Sequence, residues 1–280
     1  MIVYTSIKDI QSAIRQHRAD GHSIGFVPTM GALHRGHISL LEQSIKENDI
    51  NIVSIFINPI QFNNKQDLEK YPRTLEDDCK KLEEAGCSIV FAPSAGEMYP
   101  EEVKEHYDFG QLEKVMEGEH RSGHFNGVAV VVKRLFDICM PNKAYFGEKD
   151  FQQLAIIKAL VEQENMPLEI IGCPIIREED GLAMSSRNVR LSPEERSIAP
   201  EIFKSLNWIK QQAGDRSIGE IVILAEEKLN AMPGMKVEYI CIADEDTLMP
   251  VQSWDEADNI RAFIALFMGD VRLIDNLKIK

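Results

Sequence analysis

Short apolar runs alternate with amphipathic stretches over roughly the first 175 residues. Residues 23–28, 52–57 and 88–92 are rich in β-branched and aromatic side chains, which predicts strands, and 23–28 is expected to be the first strand. Helical spacing of apolar positions predicts helices between them, one of which Thr74 caps and Gly86 ends. This alternation of strands and helices is typical of a parallel α/β sheet.

The alternation continues as far as residue 176. Residues 127–140 fit both the strand and the helix period, and we expect a helix because apolar side chains recur every three or four positions. Residues 144–146 and 169–176 predict two more strands, with a helix between them that opens at Asp150.

The pattern changes beyond residue 176. Ser192 with Glu195 forms a capping-box signature around Pro193 and predicts a helix to about residue 213, and Ser217 begins a second helix. Three apolar runs then follow with no helix between them: 237–243, 260–268 and 271–274. Strands without crossover helices form antiparallel sheets. We therefore expect two domains, a parallel α/β domain over residues 1–175 and a small α+β domain over residues 176–280.

Length, charge and cysteine content narrow the possible classes of protein. A chain of 280 residues is long enough for about two domains. The formal net charge of −14 opposes nucleic-acid binding. The longest wholly apolar run, 262–268, is far shorter than the ~20 residues of a membrane helix. Five cysteines without a CxxC pair, and no secretory signal, predict reduced thiols and a cytoplasmic location.

A loop with two histidines follows the strand at residues 23–28. His34, Arg35, Gly36 and His37 lie where a parallel strand passes into a helix, and the first N–H groups of such a helix can bind phosphate. The alternative interpretation is a pair of solvent-facing histidines near a helix cap. Zinc binding is disfavoured because no further ligand residue stands at suitable spacing nearby.

Other segments carry candidate chemistry of the same kind. Lys149, at a second strand-to-helix junction, can place a positive charge at a phosphate, although Asp150 and Gln153 also suit a simple capping box. Residues 184–187 offer two hydroxyls and a guanidinium, which suit a triphosphate but are also common in loops. Two further segments are equally typical of simple turns: 58–62 and 121–125.

In combination, these segments resemble the pantoate–β-alanine ligase family. The resemblance is carried by PTMGALHRGHISL, FINPIQF, YPRTLEDD, GEHRSGHFNGV, AYFGEKDFQQL and LAMSSRN, which are spread over residues 28–188. With a similar tail it extends over essentially the whole chain. The resemblance implies a Rossmann-like domain over residues 1–175, which binds ATP and pantoate, and a smaller α+β lid domain over residues 176–280 with an antiparallel sheet.

The resemblance also implies the reaction. ATP and (R)-pantoate would form pantoyl adenylate and pyrophosphate, and β-alanine would then displace AMP to give pantothenate. Mg²⁺ is expected to accompany ATP and to neutralise the leaving pyrophosphate. A homodimer is also implied.

Site residues follow from the matched motifs. The resemblance assigns ATP binding to Met30, Gly31, Ala32, Leu33, His34, Arg35, Gly36, His37, Gly147, Glu148, Lys149, Asp150, Ile176, Met184, Ser185, Ser186 and Arg187. Within this set the expected catalytic residues are His34, His37, Lys149 and Arg187, and Asp150 is the expected Mg²⁺ contact.

The substrate side of the site is implied to consist of glutamines. Gln61 and Gln153 would bind pantoate, and Gln61 would also contact β-alanine. We hypothesise that neutral amides orient the pantoate carboxylate without occupying both of its oxygens, as a bidentate arginine would. Amides also reach the substrate hydroxyls, which an apolar pocket cannot select.

Three other functions compete with this one. A nucleotidyltransferase with a phosphate acceptor uses the same type of histidine loop. A nucleotide-sensing module would bind ATP without turnover, but it leaves the segments around Gln61 and Gln153 unexplained. A tRNA ligase would need a basic RNA-binding domain, which a chain with a net charge of −14 hardly supplies.

Overall fold

The computed structural model describes residues 1–62 and 65–280. The chain divides into two compact units. The first consists of Met1–Glu113, Gly118–Glu148 and Gln153–Pro174, and the second of Lys114–Glu117, Lys149–Gln152 and Ile175–Lys280.

A six-stranded parallel sheet forms the centre of the first unit, as predicted. Its strands are β1 (Ile2–Tyr4), β2 (Ile24–Thr29), β3 (Ile50–Ile55), β4 (Ile89–Phe91), β5 (Lys143–Gly147) and β6 (Glu169–Cys173). The spatial order is β1-β4-β3-β2-β5-β6. The order in which strands are added to the sheet therefore reverses between β2 and β5. Ligands of open α/β sheets bind beyond the carboxyl ends of the strands at such a point.

The expectation that residues 23–28 form the first strand is wrong. The strand β1 precedes it, followed by helix α1 (Ile7–Ala19). β1 escaped prediction because it has only three residues and lies at the edge of the sheet, where Ile2 and Val3 stay exposed. A short edge strand lacks the buried apolar run that marks an interior one.

Helices connect the strands and cover the sheet. After α1 they are α2 (Arg35–Glu47), α3 (Lys65–Lys70), α4 (Leu75–Glu84), α5 (Ala95–Met98), α6 (Glu117–His120), α7 (His124–Cys139) and α8 (Phe151–Gln163). The ambiguous run at residues 127–140 is helical, as expected. Twelve of the sixteen residues of α7 are buried, and a helix buried on nearly all sides reads as a continuous apolar run.

The second unit contains a three-stranded antiparallel sheet, as predicted. Its strands β7 (Met235–Asp244), β8 (Ile260–Met268) and β9 (Val271–Lys278) lie in the order β7-β8-β9. Helices α9 (Pro193–Ile198), α10 (Glu201–Gln212) and α11 (Ile218–Asn230) complete the unit. Their apolar faces share one core with the sheet.

The predicted single helix to residue 213 is interrupted. The Ser192–Glu195 capping box is formed, but α9 ends at Ile198 and Pro200 becomes the N-cap of α10. Ala199, the residue before the proline, keeps a helical backbone, so the interruption arises at Pro200 itself, which has no N–H to continue the helical hydrogen bonds.

Within residues 1–62 and 65–280, no helix is both long and apolar enough to cross a bilayer. The five cysteines form no disulfide. Burial raises the pKa of Cys87, Cys173 and Cys241 to about 11, so these thiols stay protonated at neutral pH.

Candidate active site

The two histidines of the first loop form the N-terminal cap of α2. His34 is the N-cap residue, and its Nδ1 accepts a hydrogen bond from the Gly36 N–H at 3.1 Å. The His37 Nδ1 accepts from the backbone N–H of His34 at 3.3 Å. This is a reciprocal capping box in which both side chains are imidazoles. The pair therefore lies at a helix cap, as the alternative interpretation held, but both histidines are half-buried rather than solvent-facing, and they form the cap themselves.

The cap determines which ring nitrogen can carry the proton. Both partners of the Nδ1 atoms are backbone N–H donors, so each Nδ1 must present its lone pair. A neutral imidazole then carries its proton on Nε2. His34 and His37, whose ring centroids are 4.1 Å apart, are thus both set as Nε2–H donors at a helix N-terminus.

A buried carboxylate holds the backbone of this loop. Asp78 of α4 is 0% exposed, and its two oxygens accept from the N–H groups of Ala32 at 2.9 Å and Leu33 at 2.7 Å. Ala32 has a φ of 51°, a left-handed conformation that is uncommon outside glycine. The Thr74 hydroxyl, predicted to cap α4, instead donates to Asp78 at 3.0 Å. Asp78 therefore stabilises a strained turn directly before the histidines.

The loop has further support from α4 and borders a cavity. The Lys81 ammonium donates to the Leu33 carbonyl at 2.8 Å, on the same side as Asp78. Gly31 has a φ of +83°, and a Cβ there would meet Asp78 Oδ2 and Ile55 Cγ2 at 3.1 Å. A cavity of about 490 Å³ lies beyond the carboxyl ends of β2, β3 and β4, with Met30, Gly31 and Pro59 in its lining.

Gln61 lies beyond the carboxyl end of β3, and its amide has a defined orientation. The buried Asn58 donates from Nδ2 to Gln61 Oε1 at 3.1 Å, and it accepts the Tyr99 hydroxyl at 2.9 Å. Gln61 Nε2 approaches the sulfur of Met30 at 3.3 Å. Because Oε1 accepts from Asn58, the orientation of the amide is defined, and its donor is Nε2, which has two N–H groups.

The segment at residues 121–125 supports Gln61 rather than forming a simple loop. His124 is buried, and its Nδ1 lies 2.9 Å from the Gln61 carbonyl. Gly127, one turn into α7, lets the helix approach closely, since a Cβ there would lie 2.9 Å from Gln61 Cα. Asn58 Nδ2 also donates to the Gly127 carbonyl at 3.1 Å. The two segments interpreted as turns or loops therefore form one cluster.

Lys149 and Asp150 belong to the second unit, in a short segment between two stretches of the first. They follow β5 in a 3-10 turn, and their charged groups are 3.9 Å apart. The Lys149 side chain is 18% exposed. The next residues pack on the antiparallel sheet, with the Phe151 ring 5.9 Å from that of Phe263.

The serine-rich loop of the second unit follows a hairpin. Met184 N–H donates to the Ile176 carbonyl at 3.0 Å, which closes the hairpin. Ser185 then caps the following turn, because its hydroxyl accepts from the Arg187 N–H at 3.3 Å. The loop is thus an ordered turn that presents Ser185, Ser186 and Arg187 together.

The structure places the remaining predicted residues as follows, each within its own unit. Gly147 ends β5, Glu148 follows it, and Gln153 is half-buried in α8. The Arg35 side chain pairs with Glu42 of the same helix at 2.7 Å, which lowers the pKa of Glu42.

Magnesium is compatible with these residues as an ion carried by a nucleotide. Among the residues that the structure describes, no group of three or more His, Cys, Asp or Glu side chains is arranged to hold a metal. Mg²⁺ commonly takes one or two carboxylates together with substrate phosphates and waters. The half-exposed Asp150 carboxylate fits such a role.

Comparison with known proteins decides the family. A model of the family described as pantoate-beta-alanine ligase matches residues 2–278. The chain belongs to this family. The family and the ligase activity expected from the sequence are thereby confirmed.

Relatives of this ligase cover it almost completely. Pantothenate synthetase of Bacteroides fragilis (strain YCH46) is 50% identical over 280 residues, which are 100% of this chain and 99% of the relative. The crystal structure of pantothenate synthetase from Thermus thermophilus has a TM-score of 0.93 at 42% identity, with 100% and 99% of the two chains covered. This structural match confirms the predicted fold class.

A third relative was solved with ligands. It is the pantoate-beta-alanine ligase from Francisella tularensis complexed with beta-gamma ATP and beta-alanine. Its TM-score to this ligase is 0.83 at 38% identity, and the match covers 99% of this chain and 97% of the other.

Several residues that support the site were not assigned a role from the sequence. Asp78, Asn58 and His124 lie inside the motifs that resemble the family, but each has a partner elsewhere in the chain. The backbone groups of Ala32, Gly127 and Gln61 that they contact are 46, 69 and 63 residues away respectively. A buried Asp or Asn in an otherwise apolar setting is a useful signal, since buried polar groups need partners. That burial is known only once the chain is folded.

Proposed function

We infer that this ligase joins (R)-pantoate to β-alanine in two steps driven by ATP. A pantoate carboxylate oxygen attacks the α-phosphorus, the bond to pyrophosphate breaks, and pantoyl adenylate forms. The amine of β-alanine, after losing a proton, attacks the acyl carbon, and AMP leaves with its electron pair. The observation that carries this inference is the pair of imidazoles capping α2, both set as Nε2–H donors.

The histidines act where negative charge develops. His34 and His37 donate hydrogen bonds to the ATP phosphates, and His37 stabilises charge as the pyrophosphate leaves. The backbone of residues 30–37, with the helix N-terminus, cradles the same phosphates. Their donors are oriented by the cap before ATP binds, so little reorganisation is needed during the reaction.

The second unit contributes the positive charge. Lys149 and Arg187 grip the phosphate chain together with the hydroxyls of Ser185 and Ser186. Mg²⁺, bound with ATP and contacted by Asp150, neutralises the pyrophosphate. Gly147, Glu148, Ile176 and Met184 border the nucleotide. As a lid domain, this unit keeps water away from the mixed anhydride.

Gln61 and Gln153 bind pantoate, and Gln61 also contacts β-alanine. The support for Gln61 is its oriented amide, whose Nε2 donates while Asn58 holds Oε1. A donor of this kind binds a carboxylate or hydroxyl oxygen without an opposing full charge, so the carboxylate remains nucleophilic.

Changing Gln61 to Glu should impair the use of pantoate. Glu has the same shape and keeps an acceptor for Asn58, but it replaces the Nε2 donor with a negatively charged oxygen. We expect kcat/KM for pantoate to fall at least about tenfold, the effect of a lost hydrogen bond to a charged group, while KM for ATP changes little. Steady-state kinetics of the adenylation step measure both.

The α8 helix supplies a comparison for this result. Gln153→Ala should also raise KM for pantoate. Gln163→Ala should not, because Gln163 is at the far end of the helix and its Nε2 bonds to the Asp108 carbonyl. Unchanged pantoate kinetics in the Gln61→Glu enzyme would contradict the assignment.

The assembly and the location of the enzyme are also proposals. A homodimer in the cytoplasm agrees with the family and with five cysteines that form no disulfide.

The reaction itself is tested with the purified protein. With Mg-ATP and (R)-pantoate, we expect exchange of labelled pyrophosphate into ATP, and with β-alanine added we expect AMP and pantothenate in equal amounts. Exchange that does not depend on pantoate would instead indicate a nucleotidyltransferase with another acceptor. Absence of AMP with all three substrates would refute the proposed reaction.

A further inference from the structure

The backbone of Lys149 is held by a buried asparagine from the other end of the chain. Asn276 of β9 is 1% exposed, and its Nδ2 donates to the Lys149 carbonyl at 3.0 Å. Both residues lie in the second unit. A hydrogen bond between residues 127 positions apart fixes Lys149 independently of the strand that precedes it.

The orientation of this asparagine is itself fixed by a cation. Asn276 Oδ1 accepts from Arg261 Nη1 at 2.6 Å, so the amide nitrogen must face Lys149. Arg261 also bonds to Glu245 at 2.8 Å, and its guanidinium stacks over the Phe151 ring at 4.0 Å. The segment that carries Lys149 is therefore held at two points, the Lys149 carbonyl and the Phe151 ring.

The residue before this asparagine holds the other phosphate-binding segment. Asp275 is buried and forms a bidentate pair with Arg177, at 2.6 and 3.0 Å. Arg177 also donates to the Gly181 carbonyl at 3.1 Å, inside the hairpin that leads to Ser185. Its guanidinium lies 3.8 Å from the centroid of the Phe203 ring.

We propose that Asp275 and Asn276, which are neighbours on β9, are positioning residues. They hold Lys149 and the Ser185–Arg187 loop in place for phosphate before the nucleotide binds. The inference rests on the proposed phosphate contacts of Lys149 and Arg187. Lysine is a flexible point charge, so its contribution depends on where its backbone is held. A displacement of about 1 Å at a catalytic group can reduce the rate about 10²-fold.

The test uses pantoate-dependent pyrophosphate exchange with the full-length enzyme. Asn276→Ala should raise KM for ATP about tenfold and leave KM for pantoate unchanged. In a Lys149→Met background the same substitution should change KM for ATP less than twofold, because Asn276 then has no ammonium to position. A general loss of folding would change KM for ATP equally in both backgrounds.

Two further variants keep the test decisive. Asn276→Asp retains the volume and the partner of Arg261 but loses the donor to Lys149, so it should reproduce the rise in KM even if the alanine variant folds poorly. Asn230→Ala is the control, because the Asn230 side chain also holds a backbone group of the second unit, the Val237 N–H at 2.8 Å. It should leave KM for ATP unchanged.

The outcomes distinguish a failure of the positioning role from a failure of the proposed phosphate contact of Lys149. If Lys149→Met lowers exchange but Asn276→Ala and Asn276→Asp leave KM for ATP within twofold of the original, the positioning role is wrong and the proposed function stands. It is also wrong if the loss is the same in both backgrounds. If Lys149→Met leaves exchange unchanged, the proposed contact of Lys149 with phosphate fails first.

Discussion

Replacement of His37 with asparagine is expected to slow formation of pantoyl adenylate by about 10²–10³-fold, the usual effect of removing one donor that stabilises developing charge. The Oδ1 atom of asparagine can take the place of Nδ1 and accept from the His34 N–H, so the cap of α2 is retained. What is lost is the Nε2–H donor. Single-turnover measurement of pyrophosphate release gives the rate, and thermal unfolding shows whether the cap has been kept.

Two variants show whether the slower rate is caused by loss of the Nε2–H donor of His37. His37→Gln places an amide nitrogen near the position of Nε2 but removes the acceptor of the cap, so it should recover part of the rate at lower stability. His17→Ala, in a half-buried histidine of α1, should change neither quantity. A His37→Asn enzyme that releases pyrophosphate at the original rate would show that the imidazole is only a helix cap.

Replacement of Asp78 with alanine should have the second large effect, on both stability and activity. It leaves the N–H groups of Ala32 and Leu33 without their acceptor beneath the loop. Each buried group without a partner costs about 1–3 kcal/mol, so the unfolding free energy should fall by about 2–6 kcal/mol. Ala32 would relax from its left-handed conformation, and KM for ATP should rise in the molecules that remain folded.

Urea unfolding and adenylation kinetics separate these two effects. Asp77→Ala is the matched control, because Asp77 is an exposed neighbour on the same helix whose partner is Lys80 on the surface. It should leave both measurements nearly unchanged. If Asp78→Ala lowers stability but not the activity of the folded fraction, Asp78 supports the fold without positioning the nucleotide loop.

Local patterns were sufficient for most of the fold. The strand and helix periods of the first 175 residues predicted a parallel α/β sheet, and the capping box at Ser192 and the predicted start at Ser217 marked helices that the structure contains. The errors arose where short-range signals are weak. β1 is a three-residue edge strand, and the break at Pro200 lies inside a continuous amphipathic pattern.

The candidate site likewise has residues that the sequence predicts and residues that it does not. The types of residue that bind phosphate stand in short segments, so the sequence and the family resemblance were sufficient to propose His34, His37, Lys149 and Arg187 as site residues. Their supporting residues were not found, because Asp78 and Asn276 make their contacts 46 and 127 positions away along the chain. Separation of this size leaves no periodic trace in a single sequence.

The amino-acid order of this ligase specifies most of its helices and strands, the segments proposed to bind phosphate, and its family, since each depends on residues that are near neighbours in the chain. The tertiary structure decides which ring nitrogen of His34 and His37 carries the proton and where the backbone of Lys149 is held. It places backbone donors on the Nδ1 atoms of His34 and His37, so that Nε2 carries the proton in each neutral ring. It also places Lys149 in the second unit, where its carbonyl accepts a hydrogen bond from Asn276. Both results depend on which polar groups are buried beside each other, and a buried polar group must find its partner wherever the fold supplies one.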